Sequence, residues 1–366
     1  VDELMALCDQ LEQQQNNSQT AHQHLVSQLL NALTSPKSIR PELVVVRQAH
    51  HERLDNIASV HPELVEGENG STGSPRTDDF DQTWQRIASH FDVLFTTEDS
   101  INQLKQSILQ LAVMGKLVPQ NPDDEPASQL LKKIAAEKAQ LVKEGKIKAQ
   151  KPLPPIADDE KPFDLPKGWE WVRLEALTEI ITKGSSPKWQ GVQYTDNPND
   201  VLFVTSENVG SNELKLTEKK YVEKKFNDIE PRSILKNGDF LMNIVGASIG
   251  RVAIFNLETI ANINQAVCLI RCLEGINDSQ YLVQFFNSEI CKSYMFDKQV
   301  DNARANLSMG NISLFLIPLP PLAEQQRIVA KVDELMALCD QLKNQLNQAK
   351  HLQGKIADVL VEQALA

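Results

Sequence analysis

The chain has 366 residues, of which 41% are hydrophobic and 23% are charged, a composition typical of a folded globular protein. Its net charge of −12 argues against a generic basic nucleic-acid binder, although residues 163–318 alone are near neutral, with 16 Lys and Arg against 19 Asp and Glu. No run of about 18 apolar residues predicts a membrane helix, and the acidic start, Asp2 and Glu3, does not fit a secretory signal.

A perfect repeat occurs near both ends of the chain: VDELMALCDQL stands at 1–11 and again at 332–342. The first copy opens a predicted helix over 1–34, with leucines at helical spacing. Residues 35–80 are rich in Ser, Gly, Pro and charge, and we expect an exposed insertion with little fixed structure. Helical periodicity returns over 81–150, and a Pro-rich linker follows over 151–166.

Short β-branched runs separated by turns predict a mixed domain over 167–318. Strands are expected at 202–205, 240–245, 252–255 and 266–271, and a helix at 281–296. The sequence Asn237-Gly238-Asp239 predicts a turn before the second of these strands.

A long helix is predicted over 319–366, because a 3-4 spacing connects mostly apolar positions. The members of this predicted seam are Leu335, Leu338, Leu342, Gln345, Ala349, Leu352, Ile356, Val359 and Gln363. The glutamines weaken the seam, so we expect an intramolecular helix pair. The predicted fold class is α+β, a mixed α/β domain flanked by long helices that form an antiparallel coiled-coil-like spacer.

The five cysteines do not suggest a disulfide framework, since Cys8 and Cys339 belong to the repeat. Cys268 and Cys272 have the spacing of half a zinc site, but no second Cys or His pair lies nearby in the sequence. Burial as small apolar residues explains them better. We therefore predict no metal site and a cytoplasmic protein.

Three phrases resemble conserved regions of the specificity subunits of type I restriction–modification systems. They are INQLKQSILQLAVMGKLVP at 101–119, LPKGWEWVRL at 165–174 and IPLPPLAEQQRIV at 317–329. Between them, LKNGDFL at 235–241 and GASIGRVA at 246–253 are similar to the central β motif of that family. The resemblance covers nearly everything outside the insertion.

The resemblance implies a target-recognition domain at 167–318, the second of the two that a full-length member carries, with the central and C-terminal conserved helices around it. The chain is thus expected to be about half of such a subunit, and to recognise double-stranded DNA of bipartite sequence without being an enzyme. The implied partners are methyltransferase subunits and restriction subunits. S-adenosylmethionine, ATP and Mg are implied for those partners, and no cofactor for this chain. A homodimer of the half-subunit is a further hypothesis.

Side chains that pair with base edges or phosphates are the candidate DNA contacts. The first loop offers Lys183 and Lys188 for phosphate, Ser185 and Ser186 for hydrogen bonds, and Trp189 as an anchor, a role that rests mostly on the resemblance. The other candidates are Ser206, Asn208, Ser248, Arg251, Asn264, Gln265, Arg304 and Asn306. Ordinary polar turns, a packed tryptophan and a glycine hairpin at 246–250 are the structural alternatives.

Enzymatic motifs are missing from the sequence: there is no Asn-Pro-Pro-aromatic motif, no glycine-rich S-adenosylmethionine loop and no P-loop. The main alternative function is nevertheless a DNA adenine methyltransferase-like enzyme with an atypical catalytic half, which S-adenosylmethionine binding would reveal. A purely structural coiled-coil scaffold is the second alternative, and it leaves the β-rich block unexplained.

Overall fold

A computed structural model describes residues 2–34, 85, 87, 89–150, 152–273, 278–297 and 307–365. The predicted insertion at 35–80 lies outside these described residues. By its internal contacts the chain divides into two units. Unit 1 comprises residues 1–107, 162–164 and 337–366, and unit 2 comprises residues 108–161 and 165–336.

The described helices are α1 (Asp2–Thr34), α2 (Phe91–Leu94), α3 (Glu98–Val113), α4 (Ala127–Lys143), α5 (Lys225–Ile229), α6 (Ser279–Asn287), α7 (Glu289–Asp297), α8 (Met309–Ser313) and α9 (Leu322–Leu365). The strands are β1 (Glu170–Arg173), β2 (Thr178–Lys183), β3 (Tyr194–Thr195), β4 (Val201–Val204), β5 (Tyr221–Val222), β6 (Asp239–Asn243), β7 (Val252–Phe255), β8 (Ala261–Ile263), β9 (Val267–Cys272) and β10 (Leu316–Leu319). The four predicted strands are confirmed within one or two residues, as β4, β6, β7 and β9.

Unit 1 is helical in its described part. Val26, Leu30 and Leu33 form the buried stripe of α1 at 3-4 spacing. Ser27 Oγ donates a hydrogen bond of 2.9 Å to Gln103 Oε1 of α3. The C-terminal part of α1 therefore packs beside α3.

Ion pairs fix the direction of α9 against α3 inside unit 1. Lys105 Nζ lies 2.5 Å from Asp340 Oδ1, and Lys343 Nζ lies 3.6 Å from Glu98 Oε2. Residue numbers rise along one helix as they fall along the other, so the two helices run antiparallel. The expected antiparallel pairing of long helices is confirmed.

The predicted seam of α9 is wrong in detail. The buried face passes through Ile328, Val332 and Cys339, each at most 2% exposed, whereas Leu338 is 48% exposed and Leu352 59%. Leu335 and Leu342 of the predicted seam are half-buried and continue this face, whereas the other seven members of the seam are exposed. Every described side chain over 347–363 is exposed.

Two sheets enclose the core of unit 2. One has the order β2-β9-β6-β7 and is antiparallel, and the other has the order β3-β5-β4-β8, with β4 and β8 parallel. Residues from both meet in a shared core of Leu202, Val204, Val209, Leu235, Leu241, Ala253, Phe255, Ala261, Ile263, Val267 and Leu269. Because side chains alternate along a strand, Phe240 of β6 points away from this core and packs on Phe286 of α6, with centroids 5.5 Å apart.

The predicted helix at 281–296 is two helices, α6 and α7, which Ser288 separates. Ser288 has extended backbone angles, and its Oγ donates to Phe285 O at 2.7 Å while accepting from Cys291 N at 3.3 Å. A serine that bonds nearby backbone groups competes with helical hydrogen bonding. Hydrophobic spacing alone did not reveal this break.

A junction inside unit 2 joins the start of α9 to the β-ribbon of β1 and β10. Gly115 ends the helical region after α3 with φ +68°, and a Cβ there would lie 2.5 Å from Pro166 Cγ and 2.9 Å from Trp169 Cζ2. Arg173, 5% exposed, donates to the carbonyls of Pro154 and Pro155 and to the Glu160 carboxylate. The Pro-rich linker is therefore held against the domain here.

Candidate nucleic-acid interface

The first predicted loop leaves β2 at Lys183, opposite Cys268 of β9. The backbone of Gly184 then comes so close to β8 that a Cβ would lie 1.9 Å from Ile263 O and 2.7 Å from Asn264 O. Only glycine fits between the two chain segments without displacing backbone. Gly184 thus sets the position of the loop, a role that the sequence analysis missed.

The loop continues into a 3-10 turn, Pro187–Gln190, that Gly191 ends with φ +67°. Pro187 is buried and anchors this turn, whereas Trp189 is 74% exposed. The predicted anchoring role of Trp189 is therefore wrong, because Pro187, two residues earlier, takes the packing position. A large indole standing in solvent is available to a ligand.

Four of the predicted residues line one cleft of about 410 Å³: Lys183, Ser185, Trp189 and Gln265. Glu230 and Arg232, which the sequence analysis did not single out, line the same cleft together with Met309. They lie 40 or more residues along the chain from the first loop. No local pattern marks them, because only the fold brings the segments together.

Unit 2 contains both paired and unpaired exposed cations, and the two cations that line the cleft, Lys183 and Arg232, belong to the unpaired group. Lys183, Lys188 and Arg232 are exposed and form no ion pair with another described residue, and the same holds for Arg251. By contrast, Lys220 pairs with Glu207 at 2.9 Å and Lys225 with Glu223 at 2.9 Å. Uncompensated positive charge is therefore found at the predicted contact positions of a chain whose overall charge is negative.

A second group of predicted residues collects around the buried Asn243. Its backbone N donates to Arg251 O at 3.0 Å, and its Nδ2 donates to Ser206 O at 2.9 Å. Ser248 lies in the adjoining 3-10 turn, where its carbonyl accepts from Arg251 N at 3.2 Å. Ser206, Ser248 and Arg251 therefore belong to one loop cluster.

Two predicted asparagines have internal hydrogen bonds. Asn208 is 6% exposed, its Oδ1 accepts from Thr205 N at 2.9 Å, and its Nδ2 donates to Lys215 O at 2.9 Å. No part of that amide is left for a base edge, so Asn208 is not included in the proposed interface. Asn264 Oδ1 accepts from Ala266 N at 3.0 Å, which stabilises the turn before β9. Arg304 and Asn306 lie outside the described residues.

The cysteines considered for zinc are placed by the packing instead. Cys268 is buried, and burial raises the pKa of its thiol, while Cys272 is half-buried at the end of β9. Among the described residues, no group of three or more His, Cys, Asp or Glu side chains is arranged to hold a metal ion. None of the described helices combines the length and apolarity required to cross a membrane.

The sequence profile of the family described as "Type I restriction modification DNA specificity domain" matches residues 166–350 of the 366. The chain belongs to this family. This match, together with the two relatives below that cover 99% of the chain, confirms the resemblance carried by the three phrases. The match to the specificity domain includes both sheets of unit 2, the cleft and more than half of α9.

Two curated relatives from Escherichia coli are similar over almost the whole chain. The type I restriction enzyme EcoAI specificity subunit is 37% identical over 99% of this chain and 55% of its own length. The EcoEI specificity subunit is 35% identical over 99% of this chain and 55% of its own length. This specificity-domain chain thus spans about half the length of the curated relatives it matches. The crystal structure of the HsdS subunit from Thermoanaerobacter tengcongensis is 19% identical, with a TM-score of 0.41 over 80% of this chain and 64% of that chain.

Proposed function

We propose that the chain recognises double-stranded DNA as the specificity subunit of a type I restriction–modification complex. The observation that supports this most directly is the cleft, where the unpaired Lys183 and Arg232 and the exposed Trp189 surround a groove in the domain that the family profile matches. Cations hold phosphate and orient the protein, while positioned polar groups read base edges.

The negative overall charge fits a reader that works inside a complex. Much of the affinity of DNA-binding proteins comes from the release of counter-ions when cationic side chains contact phosphates. A chain of net charge −12 is therefore expected to bind DNA weakly on its own. In this proposal, methyltransferase subunits and restriction subunits bind the rest of the DNA. They use S-adenosylmethionine, ATP and Mg, and this chain is non-catalytic.

A second copy of the chain supplies the second half-site reader in this proposal. The exposed apolar residues Leu352, Ile356, Val359 and Leu360 on α9 offer a self-complementary surface for an isologous contact. Sedimentation of the chain at micromolar concentration, without methyltransferase subunits, is expected to give a dimer. A monomer under these conditions contradicts the homodimer but leaves DNA recognition in place.

The experiment that tests the function is selection of a randomised duplex library by the full chain reconstituted with its methyltransferase subunits. We expect a bipartite motif, and we expect N6-methyladenine mapping in cells that carry all subunits to give the same motif. Retention of DNA without sequence preference overturns the proposal. Binding of S-adenosylmethionine by the chain alone would instead support an enzyme of the adenine methyltransferase class.

A further inference from the structure

The cleft is lined by a guanidinium and a carboxylate, those of Arg232 and Glu230, which are two residues apart in the sequence. Arg232 lies in the 3-10 turn Pro231–Ser233, Glu230 directly precedes that turn, and both residues line the cleft. Arg232 is exposed and has no carboxylate partner among the described residues. The two groups therefore reach the same space without neutralising each other in an ion pair.

Glu230 is held by the neighbouring loop. Gln190 Nε2 donates to Glu230 Oε1 at 2.9 Å and also to Ser185 Oγ at 3.0 Å. Glu230 Oε2 accepts no hydrogen bond from another described residue. One carboxylate oxygen is thus used for positioning, and the other remains an acceptor for a ligand.

The backbone beneath both side chains is also fixed. Asn262, fully buried on β8, donates from Nδ2 to Glu230 O at 3.1 Å and to Asn227 Oδ1 at 2.8 Å. The Oδ1 of the same amide accepts from Ile263 N at 2.8 Å. Asn262 therefore ties the turn to the sheet, so that little order has to be gained when DNA binds.

We infer that Arg232 and Glu230 together read one G·C base pair through its major-groove edge. Arg232 donates to O6 and N7 of guanine, and the free oxygen of Glu230 accepts from N4 of the paired cytosine. The inference rests on the proposed function and adds the base pair that this site selects. A phosphate contact for Arg232 is disfavoured, because the Glu230 carboxylate in the same cleft repels phosphate. Lys188 does not line this cleft and suits a phosphate contact better.

The test uses the full chain with its methyltransferase subunits and selects from a randomised duplex library. The wild-type complex is expected to require G·C at one position that Arg232→Ala and Glu230→Gln both relax, with the other positions unchanged. Replacing that guanine by 7-deazaguanine, which lacks N7, is expected to weaken wild-type binding about tenfold and to leave the Arg232→Ala complex unaffected.

Matched controls are Lys133→Ala and Glu125→Gln, which remove the same charges from an exposed ion pair of 2.7 Å at the start of α4. Both controls are expected to keep the wild-type motif. Arg232 is exposed, and Gln at position 230 keeps an acceptor for Gln190, so thermal melting of both variants is expected to match wild type.

The outcomes separate this inference from the function beneath it. A wild-type motif that both variants leave unchanged overturns the inference while the proposed function stands. Uniform weakening by Arg232→Ala across all sequences identifies a phosphate contact and also overturns the inference. If the wild-type complex selects no motif, the proposed function fails and the inference fails with it.

Discussion

Trp169 Nε1 donates a 3.0 Å hydrogen bond to the Glu324 carboxylate, which is 1% exposed at the start of α9. Gln120 Nε2 donates to the other oxygen of the same carboxylate at 3.1 Å. The buried Glu324 carboxylate thereby connects three segments inside unit 2. They are the residue that precedes β1 (Trp169), the segment after α3 (Gln120) and the start of α9 itself. The phrases at 101–119, 165–174 and 317–329 lead into or contain these three residues.

Glu324→Gln is expected to reduce the pH dependence of stability. Burial raises the pKa of the Glu324 carboxyl, more than the hydrogen bonds from Gln120 and Trp169 lower it. The folded chain therefore binds the proton of Glu324 more tightly than the unfolded chain does. At a pH below the ordinary Glu pKa this difference stabilises the fold, and the stabilisation is lost as the pH rises through the raised pKa of the folded state. Thermal melting at several pH values from 4 to 8 measures the difference.

Glu334→Gln is the matched control, since Glu334 lies on the same helix in an exposed pair with Lys331. Its melting temperature is expected to follow the wild-type pH profile. If Glu324→Gln also follows that profile over the whole range, the buried carboxyl does not contribute as argued.

Gly184→Ala is expected to destabilise unit 2 by about 3 kcal/mol or more, because its Cβ would overlap backbone atoms at 1.9 Å from Ile263 O. Denaturant unfolding followed by tryptophan fluorescence measures the loss. Gly310→Ala is the control, because its Cβ would meet nothing nearer than Ser308 Oγ at 3.9 Å. Equal stability of the two variants would mean that the two segments separate easily.

Local chemistry explains why the strands were predictable and the cleft was not. The β-branched runs and the turn at Gly238, with φ +91°, predicted β6 and β7 because each signal lies within a few residues. Glu230 and Arg232 line the same cleft as Ser185 and Trp189. The first loop reaches that position because Gly184 approaches Ile263, a long-range contact that no sequence pattern indicates. Charge pairing is equally invisible in the sequence: Lys183 and Lys220 look alike until the structure pairs one of them with Glu207.

The exposure of Trp189 was unpredictable for a related reason. With a tryptophan two residues after a proline, either residue can pack inward, and the choice depends on which neighbours fill the core. Here Pro187 and Val192 are buried, and the indole is left outside.

Trp189→Ala is expected to change the free energy of unfolding by less than about 0.5 kcal/mol, because the side chain is 74% exposed. The affinity of the reconstituted complex for its selected duplex is expected to fall about tenfold or more, as aromatic anchors dominate interface energies. Tyr194→Ala, at an aromatic residue 56% exposed on β3 and outside the cleft lining, is the control and should keep the affinity. Unchanged affinity for Trp189→Ala would remove the indole from the interface.

Lys183→Ala and Lys188→Ala are each expected to lower the slope of log affinity against log salt by about 1, with the selected motif unchanged. Both lysines are exposed and unpaired within the described chain, so their charge is available to phosphate. Lys220→Ala is the control, because Glu207 already compensates that charge at 2.9 Å. A change of motif on mutating either loop lysine would instead indicate base reading.

Inserting seven residues after Lys350 is expected to change the spacer between the two half-sites and not the bases read. Every described side chain over 347–363 is exposed, so the insertion disturbs no packing within unit 1. Seven helical residues add about 10 Å, equivalent to about three base pairs of duplex at 3.4 Å each. Library selection with the reconstituted complex gives both spacer and bases. Replacing Lys350 by Ala without insertion is the control. Altered bases at constant spacer would contradict the hypothesis, tested here, that α9 sets the distance between the half-sites.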